Sequence, residues 1–376
     1  MEWTESESVS PDGPWMLERA RLAVSGNQAL LGMMTQHIVS MEETEYAMSV
    51  LHWDGMRWTR LGESSPVWPA QWEGNFVAFG AANTPWRVHV EQQGIAAERW
   101  NGQSWQRVLS GLGFGTTPGQ PPACVTLLSG QEGLVLAWRE GMYNRDGATY
   151  VGLLNPDTGT WEPLGEPLRP QSGQVFWSCP EFVLDAAGHP VLTWDENLLD
   201  SNHHTLVSEI RVARWDASSR GWKQLGLPFQ AGAAPRVNWY PRVSVGQDDA
   251  PVVSWVAQPG RGQGLRTYRF NAADDTWEPL GTPAEPPVGE AFASVRGLFH
   301  DRRGRPVVCV AKEKSPVESY TQGMYCQRFE GGTWTPEGAQ PLLSAPAAVM
   351  QVEPDAVDGL ILLGGTYQSL RLYRHP

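Results

Sequence analysis

Aromatic rings interleaved with a few polar residues are the groups in this chain best placed to do chemistry. Trp15, Trp68, Phe176-Trp177, Trp239-Tyr240 and Phe292 each stand just ahead of a run rich in apolar residues, with Glu18, Glu181, Arg236, Asn238, Arg242 and Glu290 among them. Aromatic walls with a few convergent polar groups suit stacking on a sugar ring or gripping a peptide. The candidate ligand-binding set is therefore Trp15, Trp68, Trp177, Trp239, Tyr240, Phe292, Glu181, Arg242 and Glu290. Core packing is the plainer account of any single Trp, but Pro122 and Ala347 hold the corresponding place elsewhere, so not every ring is needed for packing. Glu18, Glu181 and Glu290 could in principle act as paired carboxylates on a glycoside. Ion pairs with Arg19, Arg242 or Arg296 are the simpler account of the same residues.

Other reactive side chains point less clearly. His203-His204 lies near Asp195, Glu196 and Asp200, a set with metal-ligand chemistry. Adjacent imidazoles do not turn easily to one ion, and a solvated loop is expected instead of a metal site. Cys124, Cys179, Cys309 and Cys326 show no CxxC spacing. Cys309 and Cys326 could meet across one hairpin, but Ser254 and Thr267 stand at the aligned positions of another repeat, so reduced, buried thiols are expected. No GxSxG, HExxH, P-loop or dinucleotide glycine motif occurs. No catalytic residue and no cofactor is predicted.

These residues are carried by a repeat. An aromatic strand end, a small polar turn, then Trp and two residues before Leu-Gly recur as Trp53…Trp58-Thr59-Arg60-Leu61-Gly62, Leu154…Trp161-Glu162-Pro163-Leu164-Gly165, Trp215…Trp222-Lys223-Gln224-Leu225-Gly226 and Phe270…Trp277-Glu278-Pro279-Leu280-Gly281. Weaker copies are Trp100…Trp105 and Phe329…Trp334. The anchor tryptophans 58, 105, 161, 222, 277 and 334 are spaced by 47, 56, 61, 55 and 57 residues, a blade-sized period. Each period holds four strand-like pieces; one reads Arg242–Val245, Pro251–Trp255, Leu265–Phe270 and the piece carrying Trp277. A single such sheet cannot bury both faces, whereas sheets packed radially can.

After Gly338 only three more strands are supplied before Pro376, and the missing anchor is Trp3, 55 residues before Trp58. The N-terminal segment is thus expected to complete the last sheet and close a ring. The prediction is an all-β, seven-bladed β-propeller of four-stranded antiparallel blades in one domain. Its blades span about 14–62, 66–109, 120–165, 175–226, 237–281, 291–338 and 345–376, the last completed by 1–8. Units of this kind resemble those of bacterial seven-bladed propellers of the kelch-like, tryptophan-rich class, and some propeller lectins have similar repeats. The resemblance implies architecture only. Kelch-type Gly-Gly occurs at Gly331-Gly332 and Gly364-Gly365 alone, and the WD40 and sialidase signatures are missing.

Composition narrows the function classes. The net charge of −13 argues against nucleic acid or an anionic membrane as partner. No apolar run is long enough to span a membrane. Lys occurs only at 223, 312 and 314, an Arg bias in keeping with a GC-rich bacterial genome. Met1 to Asp12 lacks the basic start and apolar core of a signal peptide, so the expectation is a cytosolic chain or one already processed. Oligomeric state is not legible.

In a propeller, B–C loops emerge on one face and A–B and C–D turns on the other. The segments Met33 to Tyr46, Arg139 to Thr149, Asp195 to Ser208, Ala257 to Gly264 and Lys312 to Gly323 are expected as long, variable B–C loops. A non-catalytic module holding a glycan, peptide or protein on that face, around the channel mouth, is the leading expectation. A glycoside hydrolase or lyase using carboxylates there, or a scaffold within a bacterial assembly, are the alternatives.

Overall fold

The computed structural model describes residues 4–5, 8–40, 43–67, 74, 76–113, 122–130, 133–141, 147–171, 173–176, 178–201, 205–230, 240–256, 264–283, 291–315, 318–337, 348–354, 359–365 and 369–375. Strands dominate. Among the described residues the only helical piece is a three-residue 3-10 turn, Ala81–Asn83. Seven antiparallel sheets follow one another along the chain, four-stranded apart from short accessory strands. The protein is an all-β, seven-bladed β-propeller, as the repeat predicts.

Two compact units are distinguishable. The first, Glu2–Gly141 with Ala148–Pro167 and Glu353–Pro376, holds three complete sheets. They are built from Met16–Ser25, Gln28–Ile38, Thr44–Trp53 and Trp58–Arg60; from Val77–Phe79, Pro85–Glu91, Gly94–Trp100 and Trp105–Leu112; and from Ala123–Gly130, Gly133–Glu140, Ala148–Leu154 and Trp161–Pro163. Apolar side chains from these sheets, including Met48, Phe76, Trp86, Leu127 and Leu136, share one core cluster. Gly32 shows how tightly they pack: a Cβ there would sit 2.5 Å from the Phe76 ring.

The same unit contains the N-terminal pairing that the strand count called for. Thr4 and Glu5 lie opposite Arg374 and Tyr373. Val9 and Leu370 then exchange backbone hydrogen bonds of 2.8 and 2.7 Å. The first residues therefore supply the outer strand of the last sheet, whose order runs Thr4–Glu5, Leu370–His375, Leu360–Gly365, Ala348–Pro354. Trp3 itself lies outside the described residues.

The second unit comprises Leu168–Val352 with Met142–Gly147. Its sheets use Glu181–Leu184, Pro190–Leu199, Thr205–Asp216 and Gly221–Gln224; Arg242–Val245, Pro251–Val256, Leu265–Asn271 and Thr276–Pro279; and Ala291–His300, Pro306–Ser315, Glu318–Glu330 and Thr333–Pro336. The four pieces read from the sequence for residues 242–279 are the observed strands. Short turns between first and second strands are closed by carboxylates. Asp185 Oδ1 accepts from the backbone of Ala187 and His189, and Asp301 Oδ1 from Arg303 and Arg305. Asp216 and Asn271 cap the next turns in the same way, as Asn155 does in the first unit and as turn formers do.

Two expectations are corrected here. Most of the segments read as long B–C loops are continuations of the strands. Gln28–Ile38 pairs with Thr44–Trp53 out to Ile38↔Thr44, and Pro190–Leu199 pairs with Thr205–Asp216 out to Leu199↔Thr205. Gly133–Glu140 and Ala148–Leu154 leave only 141–147 between them, and Pro306–Ser315 and Glu318–Glu330 only 316–317. Of the segment 257–264, all but Gly264 lies outside the described residues. Pairing satisfies the backbone groups of these extensions, and Asp195, Glu196, Asn197 and Ser208 are buried, so hydrophilic composition does not make them loops.

The second correction is that Cys309 and Cys326 form a disulfide, and no described cysteine is a free thiol. Cys309 and Cys326 lie directly opposite in the register of the two strands, and both are fully buried. Ser254 and Thr267 occupy the same relation in the preceding sheet, where their hydroxyls meet at 2.9 Å. The alignment located the pair correctly but pointed to the wrong oxidation state.

Candidate functional site

In the second unit, the first strands of three consecutive sheets begin at the same end, and a polar contact ties those ends together. The Arg242 guanidinium pairs with the Glu181 carboxylate across adjacent sheets. Its Nε also donates to the Val295 carbonyl of the third sheet, at 3.4 Å. Both partners are about three-quarters buried, at 23% and 28% side-chain exposure, where a paired charge is screened less than at an open surface. Two residues before Arg242, Tyr240 has φ of +40°, a conformation that non-glycine residues seldom adopt. Strain of this kind persists only where the surroundings hold it, and it collects at functional positions.

The strand Pro190–Leu199 and its partner bring further polar groups to this end. Asp195 is fully buried and accepts from the backbone and hydroxyl of Ser178. Glu196 faces the other side and is heavily committed. It takes the indole N–H of Trp194 at 2.8 Å, the backbone N–H of Gln171 at 3.1 Å and Nε of Arg211 at 3.0 Å. Arg211 also reaches Glu209 and Gln224. A carboxylate so saturated by donors of its own chain has little capacity left for a substrate.

The residues singled out from sequence fall in different places. Glu181, Arg242 and Tyr240 stand at the common end just described. Phe292 is 2% exposed and packs with Val252, Val256, Leu265 and Val310; Phe176 is likewise buried. Their rings belong to the core. Trp15 is partly buried in the first unit, 5.5 Å from the His37 ring. Trp68, Trp177, Trp239 and Glu290 lie outside the described residues, as do His203 and His204. Among the described residues no group of three metal-ligating side chains gathers.

Glu18, in the first unit, has a different environment. It is the extra residue at a bulge between Leu17 and Arg19. Burial raises its carboxyl above the usual value, and the Arg19 charge pulls the other way. Its Oε2 is buried without a hydrogen-bond partner. Sequence reading missed two features. Asn197 and Ser208 were hidden inside an expected loop. The buried set Arg87, His89 and Glu98, with the partly exposed Glu91 beside it, was missed too; there His89 and Arg107 hold Glu91 at a pKa of about 2. The signal for the latter was the alternation Arg87-x-His89-x-Glu91 in a strand, with Glu98 opposite Arg87.

No protein-family model matches the chain, and no curated protein matches it either. Solved structures do. YCF48 from Cyanidioschyzon merolae aligns over 99% of this chain and 98% of its own, at 16% identity and a TM-score of 0.50. The β-propeller domain of the Trilobed protease from Pyrococcus furiosus aligns over 96% and 95%, at 8% identity and 0.51. The likeness is one of fold. A puromycin-hydrolyzing peptidase of Mycobacterium tuberculosis gives 13% identity and 0.53, but this chain spans only 50% of it. Propellers host many unrelated activities, so function has to be argued from the residues.

Proposed function

We propose that this chain is a non-catalytic binding propeller, holding a glycan, peptide or protein at the end where the strands of the second unit begin. The observation that carries this is the strained Tyr240 beside Arg242, which links Glu181 and the Val295 carbonyl from two other sheets. A half-buried ring on a fixed backbone, next to a polar tie, is a preorganised contact surface. The pairing of Glu181 also supports binding over hydrolysis, since Arg242 already occupies that carboxylate. Trp177 and Trp239 are proposed to add rings to the same end on sequence grounds alone.

A glycoside hydrolase or lyase reading draws support from one observation, the raised, partly desolvated carboxyl of Glu18. A carboxyl that keeps its proton to higher pH than usual is what such chemistry requires of its acid. Screening the intact chain against glycan and peptide arrays, alongside Tyr240→Ala, tests the binding reading. Retained ligand unaltered by Tyr240→Ala counts against this end as the site. Turnover of an arrayed glycan that disappears in Glu18→Gln supports the enzyme instead.

A further inference from the structure

We infer that Asn197, with the hydroxyls of Ser208 and Thr205, forms a hydrogen-bonding subsite for the neutral hydroxyls of a carbohydrate; this rests on the binding reading above. Asn197 is fully buried, yet neither its Nδ2 nor its Oδ1 has a hydrogen-bond partner. Ser208 lies directly opposite it in the register and is 1% exposed, with its Oγ also unpartnered. Thr205, paired with Leu199 at the end of the same hairpin, has a third unpartnered oxygen. Native proteins leave few buried polar atoms unpaired, and a cluster of them calls for a ligand or bound water.

The contrast along the strand is sharp. Thr193 donates to the Arg211 carbonyl at 2.9 Å, Asp195 is met by Ser178, and Glu196 takes three donors. Ser254 in the next sheet pairs with Thr267. Thr193, Asp195, Glu196 and Ser254 on the body of these hairpins make hydrogen bonds, and the side chains of Asn197, Ser208 and Thr205 at the tip do not. The unmatched set is an amide, offering a donor and an acceptor side by side, plus two hydroxyls that can each do both. None of the three carries charge. An anionic ligand would want a free cation here, but Arg211 is engaged by Glu196, Glu209 and Gln224. Adjacent hydroxyls of a neutral sugar ring fit the donor–acceptor pattern without leaving a charge unpaired.

The test uses the full chain with chitotetraose, cellotetraose, mannotriose, 3′-sialyllactose and a blocked peptide library as probes. Titration calorimetry and thermal unfolding are run on wild type, Asn197→Leu, Ser208→Ala and Tyr240→Ala. The expected result is binding of a neutral oligosaccharide that weakens at least tenfold in Asn197→Leu and severalfold in Ser208→Ala. The melting temperature of Asn197→Leu should hold or rise, because an unsatisfied buried amide is replaced by a side chain of similar volume. A group that merely braced the fold would lower it. Oligosaccharide binding unchanged in Asn197→Leu and Ser208→Ala but lost in Tyr240→Ala overturns the subsite and leaves the wider reading standing. Binding of peptides alone also overturns the subsite, and no binding by wild type overturns both. If Asn197→Leu fails to fold, Ser208→Ala alone decides.

Discussion

The indole nitrogen of Trp277 donates a hydrogen bond of 2.8 Å to the backbone carbonyl of Leu225, 52 residues earlier in the chain. Trp105 makes the same bond to Leu61 at 2.7 Å, and Trp334 makes it to Leu280. In these three sheets the Trp-x-x-Leu-Gly repeat is thus a latch, with the Trp received by the Leu of the preceding sheet. Trp161 shows what happens without one. The preceding sheet has Val108-Leu109 where the others have Leu-Gly, and the Trp161 indole bonds the Leu136 carbonyl of its own sheet at 3.2 Å. Its ring lies over Gly152, where a Cβ would sit 2.4 Å away. Trp277→Phe should destabilise by about 1–3 kcal/mol, because a partly buried carbonyl loses its donor. Trp58→Phe should cost less, since the Trp58 indole nitrogen is buried with no partner to lose. Urea unfolding of the two variants checks the ordering.

Gly226 completes the latch. Its φ is +60°, and a Cβ there would stand 2.7 Å from Cδ1 and 2.9 Å from Nε1 of Trp277. Gly226→Ala therefore combines backbone strain of about 1–2 kcal/mol with displacement of the bonded ring, about 1–3 kcal/mol more. Gly304 has a similar φ of +73° but open space around the missing Cβ. Gly304→Ala should show the strain alone, and equal losses in the two variants would contradict the latch.

Much of this architecture is legible because it is written in spacing. Large rings and Leu-Gly doublets at a blade-sized period leave few other ways to bury themselves, and the missing seventh anchor pointed to the N-terminus. Glu181 and Arg242 were legible as candidates because they flank strand starts, although their pairing was only one of the accounts open. Asp195, Glu196 and Asn197 were not read as strand, because hydrophilic residues in a row look like loop. What buries them is pairing with residues 208–210 and with 175–176, which hydropathy along one segment does not encode. The oxidation state of Cys309 and Cys326 was illegible for another reason. Their register was inferred correctly, but a Ser–Thr pair fits the same slot, so shape alone does not choose a bond.

That disulfide is the basis of a third prediction. It closes a separation of 17 residues, for which chain-entropy reasoning gives about 3 kcal/mol. The double change Cys309→Ser with Cys326→Thr copies the hydrogen-bonded Ser254–Thr267 arrangement and should recover part of that loss. The net decrease is expected at about 1–3 kcal/mol. Because both sulfurs are buried, alkylation after reduction should need denaturant, and mass spectrometry with and without urea reads this directly.

His300 supplies the pH dependence. Burial pushes its imidazole down to about 4, the Arg269 charge adds to the effect, and Asp301 opposes it. The folded protein holds His300 neutral, with Nδ1 buried and unpartnered. The unfolded chain takes up the proton near the ordinary value of 6.5. As pH falls from about 6.5 to 4, the unfolded state gains a proton that the folded state refuses, so stability declines. The limit is about 1.4 kcal/mol per pH unit, or about 3 kcal/mol across the window. His52 is lowered by burial as well and contributes in the same direction. Carboxylates such as Glu91, held at about 2, lose their contribution only at lower pH, between the unfolded value near 4.5 and 2. Urea unfolding of wild type and His300→Phe between pH 7 and 4 separates these contributions, because the His52 effect cancels in the difference. The wild type should lose stability over that range relative to the variant, and parallel curves would show that His300 takes up its proton without opposing the fold.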